Sequence, residues 1–218
     1  MKLFLASLGI TDKLAPYFLS LLRKNRHSRK VPKGYIVENA SDYKGKEGQL
    51  ELREYYKILK NHGVDYNFLD LKEYQNKSKE LKEKLDSADF IYISGGNTFY
   101  LYYWVVISGL DKLLHNQIAN GLVFASSSAG SVITGPTLKY LDIVDKIERS
   151  PEPDKTKWEG LNLVDFVILP HWGEEKYKER FDTIKTKLEN DGFKVKTLTN
   201  KQAFSINNSK TKLVQETD

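Results

Sequence analysis

Three short stretches of this chain carry residue types that can do chemistry together. Ser126-Ser127-Ser128-Ala129-Gly130 offers a serine among small neighbours, Gly95-Gly96-Asn97-Thr98 offers backbone N–H groups with little in front of them, and Pro170-His171-Trp172 offers an imidazole on a stiff backbone. A serine on a sharp strand-to-helix turn exposes its hydroxyl, and small flanking residues keep the approach open. Its oxygen attacks a carbonyl carbon once a base takes the proton, and His171 is a base of the right type. The N–H groups of Ala129, at the start of a helix expected to run to about Thr134, and of Gly96 can then face the developing oxyanion.

Taken singly, each stretch has a plainer reading. Ser128 can simply cap a helix, Asn97 or Thr98 can cap the next one, and His171 can pack against Trp172. Ser126 also stands where the usual nucleophile turn has glycine. The glycines are followed by no Gly-Lys-Ser/Thr and form no dinucleotide fingerprint, so phosphate binding is not indicated. The other histidines are weaker candidates: His27 lies in a basic stretch, His62 at a helix end and His115 in a polar helix. A carboxylate should orient His171, and Asp142, Asp145 and Glu148 all follow Thr134-Gly135-Pro136-Thr137 in the right region. Residue type alone leaves that choice open.

The elements that must hold these loops alternate between strand and helix periods. Strands are expected over Lys2–Ser7, Tyr35–Asn39, Val64–Leu69, Phe90–Ser94, Leu122–Ser126 and Val164–Leu169, with closing strands at Phe193–Leu198, Ala203–Ile206 and Lys212–Gln215. Between them, Leu14/Tyr17/Phe18/Leu21/Leu22, Leu52/Tyr55/Tyr56/Leu59, Leu81/Leu85 and Tyr177/Phe181/Ile184/Leu188 mark apolar helix faces. His62-Gly63 and Asn190-Asp191-Gly192 supply helix stops. Such alternation predicts an α/β fold, a mainly parallel sheet with helices on both faces, whose ligands sit beyond the carboxyl ends of the strands. Each of the three chemistry-bearing stretches falls at such an end. With no repeat or linker, residues 1–218 read as one domain, and the segment from Tyr140 to Gly160 reads as a loop or short hairpin.

Composition narrows the chemistry further. The chain has 218 residues, a formal net charge of +5 and no cysteine. That excludes disulfide scaffolds, thiolate metal sites and any thiol nucleophile. The four histidines are scattered without metal-ligand spacing, so neither a metal nor another cofactor is expected. The apolar run Leu3–Ile10 is short and lacks a signal-peptidase site, and the nine residues Phe99–Ile107 are too few to span a bilayer. A cytoplasmic protein with no membrane contact is the expectation.

Taken together and in this order, the three loops resemble the dipeptidase E and cyanophycinase family of serine peptidases. The matching residues are Ser94-Gly95-Gly96-Asn97-Thr98-Phe99, then Ser128-Ala129-Gly130 with Gly135-Pro136-Thr137 after it, then Pro170-His171-Trp172. The resemblance implies a class I glutamine amidotransferase-like (flavodoxin-like) three-layer sandwich and a Ser–His–Asp or Ser–His–Glu triad. It implies Ser128 as nucleophile, His171 as base and Asp142 as the acidic member, with Gly96 and Ala129 as oxyanion donors and Asn97 lining the site. The implied substrate is a small peptide, cleaved through an acyl-enzyme. Within that family, dipeptidase E itself prefers an N-terminal aspartate, whose carboxylate is held by an arginine after the catalytic histidine. Here that segment, residues 173–180, looks shorter and has only Arg180, with Lys176 and Lys178 as point charges that lack the arginine fork. Ser131, where a small apolar residue is usual, is a second departure beside Ser126.

Two other readings compete. One is a catalytically silent binding protein of the same fold. The other is nucleic-acid binding through Arg23, Lys24, Arg26, Arg29, Lys30 and Lys33, but that stretch lacks aromatics for stacking and reads better as a solvated basic face. The run Phe99–Trp104 is read as core packing first, with a homodimer contact or a pocket wall as alternatives.

Overall fold

The computed structural model describes residues 1–23, 26–155 and 157–217, leaving aside the side chains at 46, 48, 51, 52 and 155. The expected roles of Lys24 and Leu52 lie outside what is described.

In chain order the elements are β1 (Lys2–Ala6), α1 (Ala15–Leu22), β2 (Lys33–Val37), α2 (Gly45–Asn61), β3 (Asp65–Phe68), α3 (Ser78–Asp86), β4 (Phe90–Ile93), α4 (Thr98–Ile107), α5 (Leu110–Ala119) and β5 (Val123–Ser127). They continue with α6 (Ala129–Val132), β6 (Val167–Leu169), α7 (Lys178–Asn190), β7 (Val195–Thr197), β8 (Gln202–Asn207) and β9 (Lys210–Gln215). The main sheet has seven strands in the order β3-β2-β4-β5-β1-β8-β9. Its first five strands pair in parallel, while β8 and β9 add on antiparallel. The α/β sandwich expected from the alternating periods is therefore the fold.

The strands form where apolar runs can be covered on both faces. Phe4 and Ala6 point to one layer, with Phe18, Leu22, Tyr56 and Leu59, while Leu3 and Leu5 point to the other, with Phe99, Leu114, Phe166 and Ile184. This two-sided burial explains the near-continuous apolar character of β1, β4 and β5. On one side Phe18 packs edge-on against both Phe4 and Phe90, at 5.9 and 5.6 Å between ring centroids.

One strand departs from expectation. β6 does not join the main sheet; it pairs in parallel with β7 in a separate two-stranded ladder. The reason lies in β1, which is already paired on both edges, to β5 and β8, and offers no free edge to β6. The small ladder is tied to the end of β1 instead, where Ser7 Oγ donates to the Leu198 carbonyl at 3.2 Å.

The segment expected to be a loop or hairpin holds three single 3₁₀ turns, Leu141–Ile143, Ile147–Arg149 and Pro153–Lys155, closed by a bridge between Thr137 and Glu159. The basic stretch before β2 is tied into the fold. Arg26 donates to the Ala88 carbonyl at 2.7 Å, to the Leu85 carbonyl and to Gln117, and Arg29 pairs with the buried Asp89 at 3.2 Å. These arginines join the loop to the turn before β4. In the aromatic run, Phe99, Leu101 and Tyr102 are buried on α4, as core packing requires. No helix among the described residues is long and apolar enough to cross a membrane.

Candidate active site

β4, β5 and β1 lie side by side, so their carboxyl ends bring Gly95-Gly96, Ser128 and Ser7 into one crevice. Ser128 follows β5 with φ 48° and ψ −120°, a conformation L-residues rarely adopt, on the sharp turn expected of a nucleophile. Two carbonyls hold that turn, since the Ser128 N–H donates to Ala6 and Ser7 oxygens at 3.2 and 2.9 Å. The helix after it is a single turn, Ala129–Val132, shorter than the run to Thr134 expected. A helix this short has little macrodipole, so any oxyanion stabilisation here falls to the individual Ala129 N–H.

The two serines that depart from the family pattern account for each other. Ser126 Oγ lies 2.9 Å from Ser131 Oγ, and Ser131 Oγ donates to the Ala6 carbonyl at 2.7 Å. Both hydroxyls are buried and satisfied beneath the nucleophile turn.

Glycine is required on the facing loop. A Cβ at Gly96, whose φ is +152°, would meet the Ala40 carbonyl oxygen at 2.0 Å, and one at Gly95 would meet Ser128 Cβ at 2.6 Å. Among the described residues neither the Gly96 nor the Ala129 N–H has an acceptor, so neither donor is committed elsewhere, and Gly96 lines the crevice. Asn97 does something other than line the site. Its Oδ1 accepts the Tyr100 N–H at 2.9 Å and its Nδ2 donates to the Lys146 carbonyl at 3.0 Å, so it caps α4 and pins the 141–149 segment. The plain capping reading is the right one for this residue.

His171 also has a positive φ, 57°. Its Nε2 lies 2.8 Å from Ser128 Oγ, its backbone N–H donates to Ser7 Oγ at 2.7 Å, and its ring stacks on Tyr177 with centroids 5.5 Å apart. Burial lowers its pKa below the usual 6.5, and Lys176 acts the same way, while the Asn200 hydrogen bond, Glu174 and Asp145 oppose the shift. The result is a neutral imidazole at pH 7, ready to accept a proton.

None of the three expected carboxylates stands behind the imidazole. Asp142 is exposed on the first 3₁₀ turn, Glu148 is exposed on the second, and the Asp145 carboxylate accepts the Thr98 N–H at 2.9 Å. His171 Nδ1 instead meets Asn200 Oδ1 at 2.7 Å, and Asn200 Nδ2 donates to Glu174 Oε1 at 2.7 Å. Sequence reasoning passes over Asn200 because a carboxylate is the residue type expected to orient a base. Its placement in the turn between β7 and β8, at the same end of the fold as His171, is the available signal.

The crevice beside Ser128 holds about 320 Å³ and is lined by Leu8, Ile10, Thr11, Lys44, Tyr55, Tyr56, Tyr92, Ser94, Gly95 and Gly96. Burial pushes the Tyr56 phenol up to about 12, which keeps it a neutral donor. Among the described residues the lysine at this cleft is Lys44, and neither Lys176 nor Lys178 lines it. Lys176 sits 4.7 Å over the Tyr177 ring, and Arg180 lies over the same ring at 5.6 Å while donating to the Lys176 carbonyl.

The sequence profile of peptidase family S51 matches residues 13–214. An uncharacterized peptidase of Listeria monocytogenes is 41% identical over 100 residues, covering 46% of this chain and 48% of that protein. An uncharacterized peptidase of Pasteurella multocida is 31% identical over 140 residues, covering 62% and 64%. A protein named peptidase E from Nostoc is 29% identical over 116 residues, covering 53% and 43%. The aligned regions thus span about half the length of these curated relatives. A crystal structure of a candidate peptidase E protein from Listeria monocytogenes superimposes with a TM-score of 0.80 at 28% identity, covering 98% of both chains. A peptidase from an acI-B1 actinobacterium shares the fold at 18% identity, with a TM-score of 0.73.

Proposed function

Since the chain belongs to peptidase family S51, we propose that it is a serine-type peptidase of the dipeptidase E kind, acting as one unit on small peptides. Ser128 is the nucleophile, His171 the base and Asn200 the residue that orients it, with the Gly96 and Ala129 N–H groups as the oxyanion site. The observation that carries this reading is the 2.8 Å contact between Ser128 Oγ and a lowered-pKa His171 Nε2.

In the reaction the Ser128 proton passes to His171 Nε2 as Oγ bonds to the scissile carbonyl carbon. The two N–H donors hold the oxyanion. Collapse breaks the C–N bond, and the imidazolium returns its proton to the leaving amine. Water then attacks the ester, giving its proton to His171, and Ser128 leaves reprotonated. Asn200 cannot neutralise the transient imidazolium as a carboxylate would, so its part is to fix the ring and its tautomer.

A screen of dipeptides, aspartyl and isoaspartyl ones included, with fluorophosphonate labelling, tests the proposal. Hydrolysis and labelling by the wild type, both abolished in Ser128→Ala with the fold intact, are expected. Undiminished labelling of Ser128→Ala would remove Ser128 as nucleophile. One observation favours a second reading, a silent binding protein: the amide of Asn200 where the family expects a carboxylate. Tight peptide binding with neither turnover nor labelling in the wild type would support it.

A further inference from the structure

We propose that Glu174 is a positioning residue, which holds the Asn200 amide in the one orientation that gives His171 the tautomer able to deprotonate Ser128. The inference rests on the serine-peptidase reading above.

Asn200 has two faces of similar shape and opposite polarity. If Oδ1 faces His171 Nδ1, the ring carries its proton on Nδ1 and leaves Nε2 free to accept from Ser128. With the amide reversed, the NH₂ would face Nδ1, the ring proton would move to Nε2, and the base would be lost. Nothing in the Ser128–His171–Asn200 set itself forbids the second arrangement. The Glu174 carboxylate does, because it is an acceptor only, and it takes the Asn200 Nδ2 proton at 2.7 Å. Oδ1 is thereby committed to Nδ1 at 2.7 Å.

The fold places Glu174 for this task. The turn after β6 is closed by the Glu174 N–H donating to the His171 carbonyl at 3.1 Å, with Gly173 at φ +90° making the bend. Base and carboxylate therefore leave the same tight turn. Asn200 enters from the β7–β8 turn, which is closed by the Gln202 N–H on the Thr199 carbonyl at 2.9 Å. The other groups around the imidazole are Lys176 and the Tyr177 ring from its own segment and Asp145 from the segment before β6. None of these hydrogen-bonds Asn200.

The polarity of the pair can be exchanged, and that gives the test. Glu174→Ala, Glu174→Gln, Asn200→Asp and the double variant Glu174→Gln/Asn200→Asp are compared with wild type, free of substrate, by ¹⁵N NMR of His171 and by the rate of fluorophosphonate labelling. Wild type should show a single Nδ1–H tautomer. Glu174→Ala should show a mixture and label about tenfold or more slowly, while Glu174→Gln, which keeps an acceptor oxygen, should fall between. Asn200→Asp opposes two carboxylates. In the double variant the introduced amide donates to the introduced carboxylate, so it should label faster than Asn200→Asp alone.

A single Nδ1–H tautomer in Glu174→Ala with labelling within twofold of wild type would overturn the proposal. So would a double variant no faster than Asn200→Asp. If Glu174→Ala does not fold, Glu174→Gln and the double variant decide the question. If wild type does not label while the tautomer still follows Glu174, the peptidase reading fails and the positioning role stands.

Discussion

Ser7 Oγ accepts the backbone N–H of His171 at 2.7 Å, while the Ser7 carbonyl accepts the Ser128 N–H at 2.9 Å. One residue at the end of β1 thus sets the spacing between Ser128 and His171, which come from two different strands. Ser7→Ala leaves the His171 N–H without its acceptor. We expect a stability loss of about 1–3 kcal/mol in denaturant unfolding. Labelling of Ser128 should slow about tenfold or more, because small misplacements of a base are costly. Normal labelling would show that the β6 turn holds His171 without help.

The pH profile should report the buried imidazole. His171 must be neutral to accept the Ser128 proton, and burial has lowered its pKa from 6.5. The acid limb of kcat/KM should therefore have its midpoint below 6.5, with activity rising as pH rises through it. A limb centred above the ordinary histidine value would contradict the arrangement.

Asp145 should be a stability liability that Asn relieves. Burial raises its pKa above the usual 3.8, against the opposing Thr98 hydrogen bonds, Arg149 and His171. The native state therefore holds its proton to higher pH than the unfolded chain does. Stability from this group falls as pH rises from about the unfolded value through the raised one. Asp145→Asn, which keeps an acceptor for the Thr98 N–H, should match wild type at low pH and equal or exceed it at pH 7. Urea unfolding at both pH values measures the difference, and a variant weaker at pH 7 than at low pH, relative to wild type, would reverse the sign.

Gly96→Ala should damage both fold and chemistry. The added methyl would meet the Ala40 carbonyl at 2.0 Å on a backbone at φ +152°. The loop must shift, at a cost of about 1–3 kcal/mol of stability. Displacing one oxyanion donor should lower kcat about 10²–10³-fold, with KM much less affected. A variant with unchanged kcat would remove Gly96 from the oxyanion site.

Much of the fold and part of the site were legible in the sequence, for a physical reason. Apolar periodicity is set by burial on one or both faces, so the runs at Phe4, Phe90 and Phe124 betrayed their strands, and Phe181, Ile184 and Leu188 betrayed α7. Ser128, His171 and Gly96, which the fold brings to one crevice, stood out as candidates because a strained turn, an imidazole on a stiff backbone and a close backbone approach each favour a residue type. The absence of cysteine by itself left serine as the nucleophile such a turn could offer.

What only the tertiary structure decided was which side chains meet across distant segments. Asn200 lies 29 positions from His171, and Ser7 lies 164 from it, so no local pattern links them. Asp142 fits the family's sequence order and is nevertheless exposed, and Asn200 on the turn after β7 meets Nδ1 instead. Asn97 was visible as a polar residue in the right loop, but only its two hydrogen bonds show it capping α4 and holding the Lys146 carbonyl. Strand periodicity likewise marked β6 without saying which ladder it would join, since that depended on β1 having both edges filled. Residue types follow from local chemistry, whereas partnership depends on which edges and donors the rest of the fold leaves open.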